Sequence, residues 1–258
     1  MTDITTWLLA LSVTLPRIAA SFIVLPLLSQ DAVPALVRNS IFVGLALVVS
    51  PLTIETINLA AVKPLDWPFI LIKEIFIGIT IGFFFASIFW AISIAGGIID
   101  TQMGNNMSQT MDPLQGSNTT LTGLWFSRFA SVLFLTSGGF LIFLGVLLKS
   151  YRIWPPHSFL PNLTADSGAF FIYEFEYIMV QAMLFAAPVI TVLALVDLSM
   201  GLINRFAQQL NVLALSSSLK TWLGTWVALL CLGLMVELVV RKLFENEHIL
   251  ARLQIIFS

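Results

Sequence analysis

The chain reads as an all-α, polytopic, membrane-associated bundle built from about six long apolar segments. Two observations predict this. Hydrophobic residues fill 58% of the 258 positions and charged residues only 10%, against roughly 25% charge in a soluble domain. The apolar residues also gather into runs. The longest without a charge is Ile75–Ile99, and a helix needs about 20 residues to cross a hydrocarbon core. No linker is long enough to separate two soluble units, so residues 1–258 are expected to form a single domain.

The segments follow in order. Ile4–Leu28 carries Pro16-Arg17 in its middle and Pro26 near its end, and Ser40–Ile54 is shortened by Pro51. Phe69–Ile99 is the strongest. Leu124–Leu148 contains the charge-free run Phe129–Leu148, and Trp154-Pro155-Pro156 with Pro161 stops it in a stiff, extended turn. Phe170–Leu198 contains the charge-free run Tyr177–Val196, and Thr221–Val240 closes the set. Between the last two, Ile203, Phe206, Leu210 and Leu213 recur at helical spacing opposite Arg205, Gln208, Gln209 and Asn211, predicting an amphipathic helix over Gly201–Lys220. The tail repeats the idea, with Leu250, Leu253 and Phe257 on one stripe, and such helices lie at an interface or dock on a partner.

Charges punctuate these segments: Arg17, Lys73, Glu74, Arg128, Asp197 and Glu237. Each costs about 2.5–3.5 kcal/mol at the centre of a lipid-facing helix, so several together imply faces that meet protein or water. With six spans the termini share a side with Lys63, Lys149, Arg152, Arg241, Lys242 and Arg252, against Arg38, Arg205 and Lys220 opposite. The excess of basic residues then places both termini in the cytoplasm. The N-terminus lacks the basic region of a secretory signal, so no cleavage is expected. A net charge of −2 offers no attraction for nucleic acid.

Catalytic constellations are missing. There is no phosphate-binding glycine loop, no G-x-S-x-G and no H-E-x-x-H. His157 and His248 have no ligand partner at helical spacing, and the single cysteine, Cys231, excludes a cysteine-based zinc site and an internal disulfide. Ser217-Ser218-Leu219-Lys220 matches S-x-x-K without its companion motifs, and fits a helix end or cap better than a nucleophile. The reading is non-enzymatic, with no cofactor and no metal.

Two features point to packing and passage. Gly78 and Gly82 form G-x-x-x-G, with Ala86 one turn on. That stripe suits close helix approach, equally within this chain or against another subunit. From Gly96-Gly97, expected to loosen the helix, as far as Gly123 the chain turns polar. Met103, Met107 and Met111 lie four apart, sharing a face if the region is helical, among Gly104, Asn105, Asn106, Ser108, Gln109 and Thr110, before an Asp112-Pro113 stop. Soft methionine among uncharged polar residues suits a deformable seal on a partner or a water-filled lumen.

At these residues the chain resembles the export-apparatus family of type III secretion called FliR in flagella and SctT in injectisomes. The run Ala95–Gly104 followed by Asp112-Pro113 is similar to the family's central signature, with Glu74, Gly78 and Gly82 matching the helix before it. Ala187-Pro188, Asp197 and Gly201–Asn211 resemble the second signature, with Gln208 where proline is usual; Pro16-Arg17, Pro26, Val33-Pro34 and Arg38 fit the N-terminal pattern. Ile99–Gln102, Ser137–Phe140 and Lys149–Arg152 with Trp154-Pro155 look more like the injectisome branch.

The resemblance implies a multi-pass protein of the bacterial inner membrane, within a secretion-system basal body. One copy would join FliP/SctR-like and FliQ/SctS-like subunits, near an FlhB/SctU-like switch protein, in a helical cone that opens to unfolded secreted proteins. It implies a pore plug at Met103, Gly104, Asn105, Asn106, Met107, Met111, Asp112 and Pro113. Structural or assembly roles fall to Arg17, Glu74, Gly78, Gly82, Gly97, Asp100, Gln102, Asp197, Arg205, Gln209 and Asn211. The competing reading is a stand-alone secondary transporter with a broken-helix substrate site around Gly96–Asp112, which calls for a paired break in the other half.

Overall fold

A computed structural model describes residues 4–28, 33–56, 67–105, 120–156, 165–206, 212–247, 249–251 and 253. Among them there is no strand. The helices are α1 (Ile4–Val24), α2 (Ala35–Thr56), α3 (Trp67–Met103), α4 (Leu121–Thr136), α5 (Gly139–Ile153), α6 (Ala165–Phe206), α7 (Val212–Leu230) and α8 (Leu232–Glu247), with a short 3-10 turn at Pro26–Leu28. The six apolar segments correspond to six helical stretches, two of them bent. Three helices are long and apolar enough to cross a membrane, at Thr6–Val24, Trp67–Met103 and Gly168–Phe206. The number rises to five if each bent pair counts as one span. The orientation argument assumed six, and α2 is the segment that falls short, its apolar helix ending at Pro51.

Both bends fall inside segments expected to be continuous. α4 and α5 meet at 71°, because Gly138 adopts φ 81°, a left-handed conformation open chiefly to glycine. α7 and α8 meet at 45° around Cys231. The backbone ladder persists there, Leu234 and Met235 N–H both donating to the Cys231 carbonyl at 3.1 and 3.3 Å.

α3 is 37 residues long, about 55 Å at 1.5 Å per residue, well beyond a hydrocarbon core of about 30 Å. Its proline, Pro68, sits in the first turn, where a missing N–H costs nothing. It is apolar on all sides, the pattern of a buried helix, and 72% of its most apolar stretch is buried. Gly96-Gly97 does not loosen it; the helix continues without a break to Met103.

The chain groups into two compact units. The first comprises Met1–Ser87, Leu135–Glu174 and Lys242–Ser258; the second comprises Ile88–Phe134 and Phe175–Arg241. In the first, α1 lies directly on α3: a Cβ on Gly78 would collide with the Arg17 carbonyl, and one on Gly82 would stand 2.5 Å from the Ser21 carbonyl. The G-x-x-x-G stripe is therefore an internal packing face. Phe22 of α1 meets Phe42 of α2 at 5.5 Å and the edge of Phe143 of α5 at 5.0 Å, and Phe143 meets Phe85 at 5.2 Å. The C-terminal helix is fastened here by a buried ion pair between Lys242 and Glu174 (2.6 Å) and by Asn246 Nδ2 donating to the Phe84 carbonyl (3.0 Å). Leu250 and Leu253 of the predicted tail stripe are both buried, while Phe257 lies outside the described residues.

In the second unit, Phe89 packs on Phe134 at 5.4 Å and Phe126 meets Phe185 edge-on at 5.4 Å. α3 and α4 cross at glycine on glycine, since a Cβ on Gly96 would overlap the Gly123 backbone. The predicted amphipathic helix over Gly201–Lys220 is divided: 201–206 end α6, 212–220 begin α7, and 207–211 lie outside the described residues.

Candidate functional site

Among the described residues, a buried polar constellation in each unit brings expected site residues together. In the first unit Arg17 and Glu74, both fully buried, form a two-pronged ion pair. Arg17 Nε donates to Glu74 Oε2 at 2.7 Å and Nη2 to Oε1 at 2.9 Å. The rest of the guanidinium is satisfied by Ser150 Oγ (3.0 Å) and the Trp154 carbonyl (2.8 Å), with the Tyr151 ring 4.1 Å from its centre. Lys73 Nζ stands 3.3 Å from Glu74 and donates to the Pro155 and Pro156 carbonyls, each at 2.9 Å. The proline pair at the end of α5 ends a helix and so frees its carbonyls for buried cations. Tyr151 OH donates to the Thr14 carbonyl at 2.8 Å, closing the cage. Charges that hydropathy marks as liabilities are here mutually compensated.

The second constellation surrounds Asp100, fully buried near the end of α3. The helix stops in a left-handed cap: Gly104 has φ 83°, Gly104 N–H donates to the Thr101 carbonyl at 3.2 Å, and Asn105 N–H reaches back to the Asp100 carbonyl at 3.1 Å. On the return, Thr120 caps α4, its Oγ1 accepting from Gly123 N–H at 3.2 Å. The Asp100 carboxylate joins these two ends. Its Oδ2 accepts the Thr122 N–H (2.7 Å), and its Oδ1 accepts the Thr122 hydroxyl (2.6 Å) and the Asn105 side-chain amide (3.1 Å). An anion at the first turn of a helix is further favoured by the helix dipole. Asn105 Oδ1 in turn accepts the Thr221 hydroxyl of α7 at 3.3 Å. The described residues on either side of 106–119 thus both bond to one carboxylate.

Met103, the last helical residue, is 2% exposed, and a Cβ on Gly224 of α7 would overlap its terminal methyl. α3 ends at Met103 and Gly104 takes the positive φ that follows it; Met107 and Met111, expected on the same face, lie outside the described residues. Met103 helps floor an apolar cavity of about 410 Å³ lined with Trp125, Phe126 and Ala228. Among the described residues no three His, Cys, Asp or Glu side chains are placed to share a metal ion.

Bacterial export proteins, family 1, match residues 8–246. The chain belongs to that family. It is 34% identical to the Yop proteins translocation protein T of Yersinia pestis over 88% of both chains. It is 34% identical to the secretion system apparatus protein SsaT of Salmonella typhimurium over 83% of both, and 28% identical to the flagellar biosynthetic protein FliR of Bacillus subtilis over 89% of this chain and 88% of that one. The type III secretion relatives are thus the more similar of these three. A family 1 export protein with these apolar helices is a multi-pass inner-membrane component of a secretion system.

Set against that family, the expected signature residues are dispersed through both units. Arg17 with Glu74 forms the buried pair, and Gly78 and Gly82 seat α3 on α1. Gly97 lies 3.7 Å, by an added Cβ, from Thr120; Asp100 is the junction; Gln102 is exposed on the last turn of α3. Asp197 pairs with Lys220 at 3.0 Å on a part-exposed face, and Arg205 is exposed in the last turn of α6. Asn106, Met107, Met111, Asp112, Pro113, Gln209 and Asn211 lie outside the described residues. Residues the sequence reading did not assign are Thr120, Thr122, Gly123, Thr221 and Gly224 around Asp100, and Ser150, Tyr151 and the Trp154–Pro156 carbonyls around Arg17. A threonine just ahead of an apolar run is a helix-start signal, and it marks Thr120.

Proposed function

We propose that this protein is a non-enzymatic, channel-forming subunit of a type III secretion export gate, helping to form and to close the entry pore for unfolded secreted proteins. It acts as one family domain, in the injectisome rather than the flagellar branch. Its neighbours are FliP/SctR-like and FliQ/SctS-like subunits, an FlhB/SctU-like switch protein and membrane lipid. The closing element is the stretch Gly104–Pro113, with Met103 as its buried root. The observation that carries this reading is the Asp100 junction, one buried carboxylate bonded to residues on both sides of the polar stretch. A segment rich in amides and methionine, fixed at its base, suits a compliant seal. Arg17, Glu74, Gly78, Gly82, Gly97, Asp197, Arg205, Gln209 and Asn211 serve assembly and packing.

The test is deletion of 106–111, which spares Asn105 and its bond to Asp100. The variant should still co-purify with the neighbouring subunits, while closed membranes carrying it conduct small ions. An unchanged conductance with assembly intact refutes the sealing role. Retention of secretion after removal of the whole chain refutes the export role.

A further inference from the structure

We infer that Asp100 is the positioning residue that sets the base of the polar stretch, holding the end of α3 and the start of α4 together. This rests on the sealing role proposed above for the stretch between them.

Three donors from both sides of the stretch converge on this carboxylate: the Asn105 amide from the outgoing side, and the Thr122 N–H and hydroxyl from the returning side. Each side also has its own local cap, the left-handed turn at Gly104 and Thr120 on Gly123. The caps leave the Thr122 N–H in the first turn of α4 to the Asp100 carboxylate, so Asp100 completes that helix start while bonding to the α3 side as well. Its carboxylate bonds to groups on both sides. Complete burial means that no water stands ready to replace a lost partner. The link extends to α7 through Asn105 and Thr221. Gly96 and Gly123 allow α3 and α4 to approach this closely, since any side chain there would force the backbones apart.

The chemistry requires the charge. An asparagine side chain in place of Asp100 offers one oxygen where the carboxylate offers two, and turns an N–H group toward donors. Bonds to an ionised acceptor exceed neutral ones by enough to change the population of the released junction about tenfold.

The experiment uses the full-length chain with Cys231→Ala, which removes the only native thiol, and spin labels at Gln102→Cys and Leu124→Cys, both exposed positions. Asp100→Asn should broaden the label-to-label distance distribution and raise ion conductance in closed membranes, without loss of the co-purifying subunits. Thr122→Val, which keeps the side chain's shape and removes one bond, should show a smaller change in the same direction. A merely structural carboxylate would lower stability without moving the distance, and an unchanged distribution in Asp100→Asn overturns the inference. So does a broadened distribution without conductance when deletion of 106–111 does conduct. If that deletion itself fails to conduct, the sealing reading falls, and the distance measurement alone decides whether Asp100 holds the junction.

Discussion

Replacing Glu74 with glutamine should be among the most destabilising isosteric changes in the chain. Glu74 accepts two short bonds from Arg17 and faces Lys73 at 3.3 Å, all three residues being at most 1% exposed. Glutamine keeps the volume but leaves two cations buried side by side, with one amide N–H directed at donors. Arg17 retains Ser150 and the Trp154 carbonyl, and Lys73 retains the Pro155 and Pro156 carbonyls. Those dipoles soften the loss without replacing a charge. Removing one partner of a buried pair costs about 3–5 kcal/mol. For a chain of this size that corresponds to a fall of roughly 6–20 °C in melting temperature. Tryptophan fluorescence during thermal unfolding in mild detergent reads it, because Trp154 borders the cluster. Arg17→Met and the double variant complete a cycle in which the losses should be strongly non-additive, since the second substitution removes a charge the first has already orphaned. A Glu74→Gln shift under about 1 kcal/mol, or additive single losses, would mean the cluster is solvated and the burial argument wrong.

Other predictions follow from packing. Gly96→Ala should destabilise by about 1–3 kcal/mol, because its Cβ meets Gly123 backbone that cannot step aside; Gly145→Ala, in open space within α5, should instead stabilise by about 0.5–1 kcal/mol, and thermal unfolding of the two variants checks the contrast in sign. Gly224→Ala should cost less than Gly96→Ala, since the obstructing atom is the far end of Met103, and a Met103→Ala background should erase the cost. Asp197→Asn should change stability by less than about 1 kcal/mol, its partner Lys220 lying on a part-exposed face, whereas Glu174→Gln should cost several times more because its pair with Lys242 is buried. Unfolding by graded detergent, run on both variants in parallel, decides the order.

The helices were legible because apolar runs of this length leave little else to form, and their edges follow the prolines and polar clusters. The bends were less so. Ser137-Gly138-Gly139 lies inside the charge-free run Phe129–Leu148, where a continuous segment was expected, and the positive φ at Gly138 turns the chain there. Cys231 carries no such signal, and only tertiary packing distinguishes it from a straight helix. Gly96-Gly97 shows the opposite error. Glycine in a helix was read as looseness, but at Gly96 it serves close approach to Gly123, a partner far along the chain. Arg17, Lys73 and Glu74 were each visible as costly charges. That they meet one another, and that Trp154-Pro155-Pro156 supplies their acceptors, depends on three-dimensional closure that no local pattern encodes. The same holds for Asp100, whose partner Thr122 lies beyond the polar stretch.

The charges of the apolar helices separate into two kinds, and the second bears on what surrounds the protein. Arg17, Lys73, Glu74, Asp100, Glu174 and Lys242 are buried and bonded within their own units. Arg128, Glu176 and Glu237 are exposed, on faces that also expose Val132, Leu135, Phe175, Met179, Leu234 and Val236. Each lies within about two turns of an end of its apolar segment, where a charge facing lipid costs less than the about 2.5–3.5 kcal/mol of the bilayer centre. Exposed charges set among exposed apolar side chains nevertheless suit contact with protein or water better than with lipid tails. α6 makes the same point from the apolar side: only 33% of its most apolar stretch is buried, against 72% for α3. A helix left so open, flanked by charges that lipid tails would reject, is suited to bury its surface against neighbouring subunits, as an export-gate component is proposed to do.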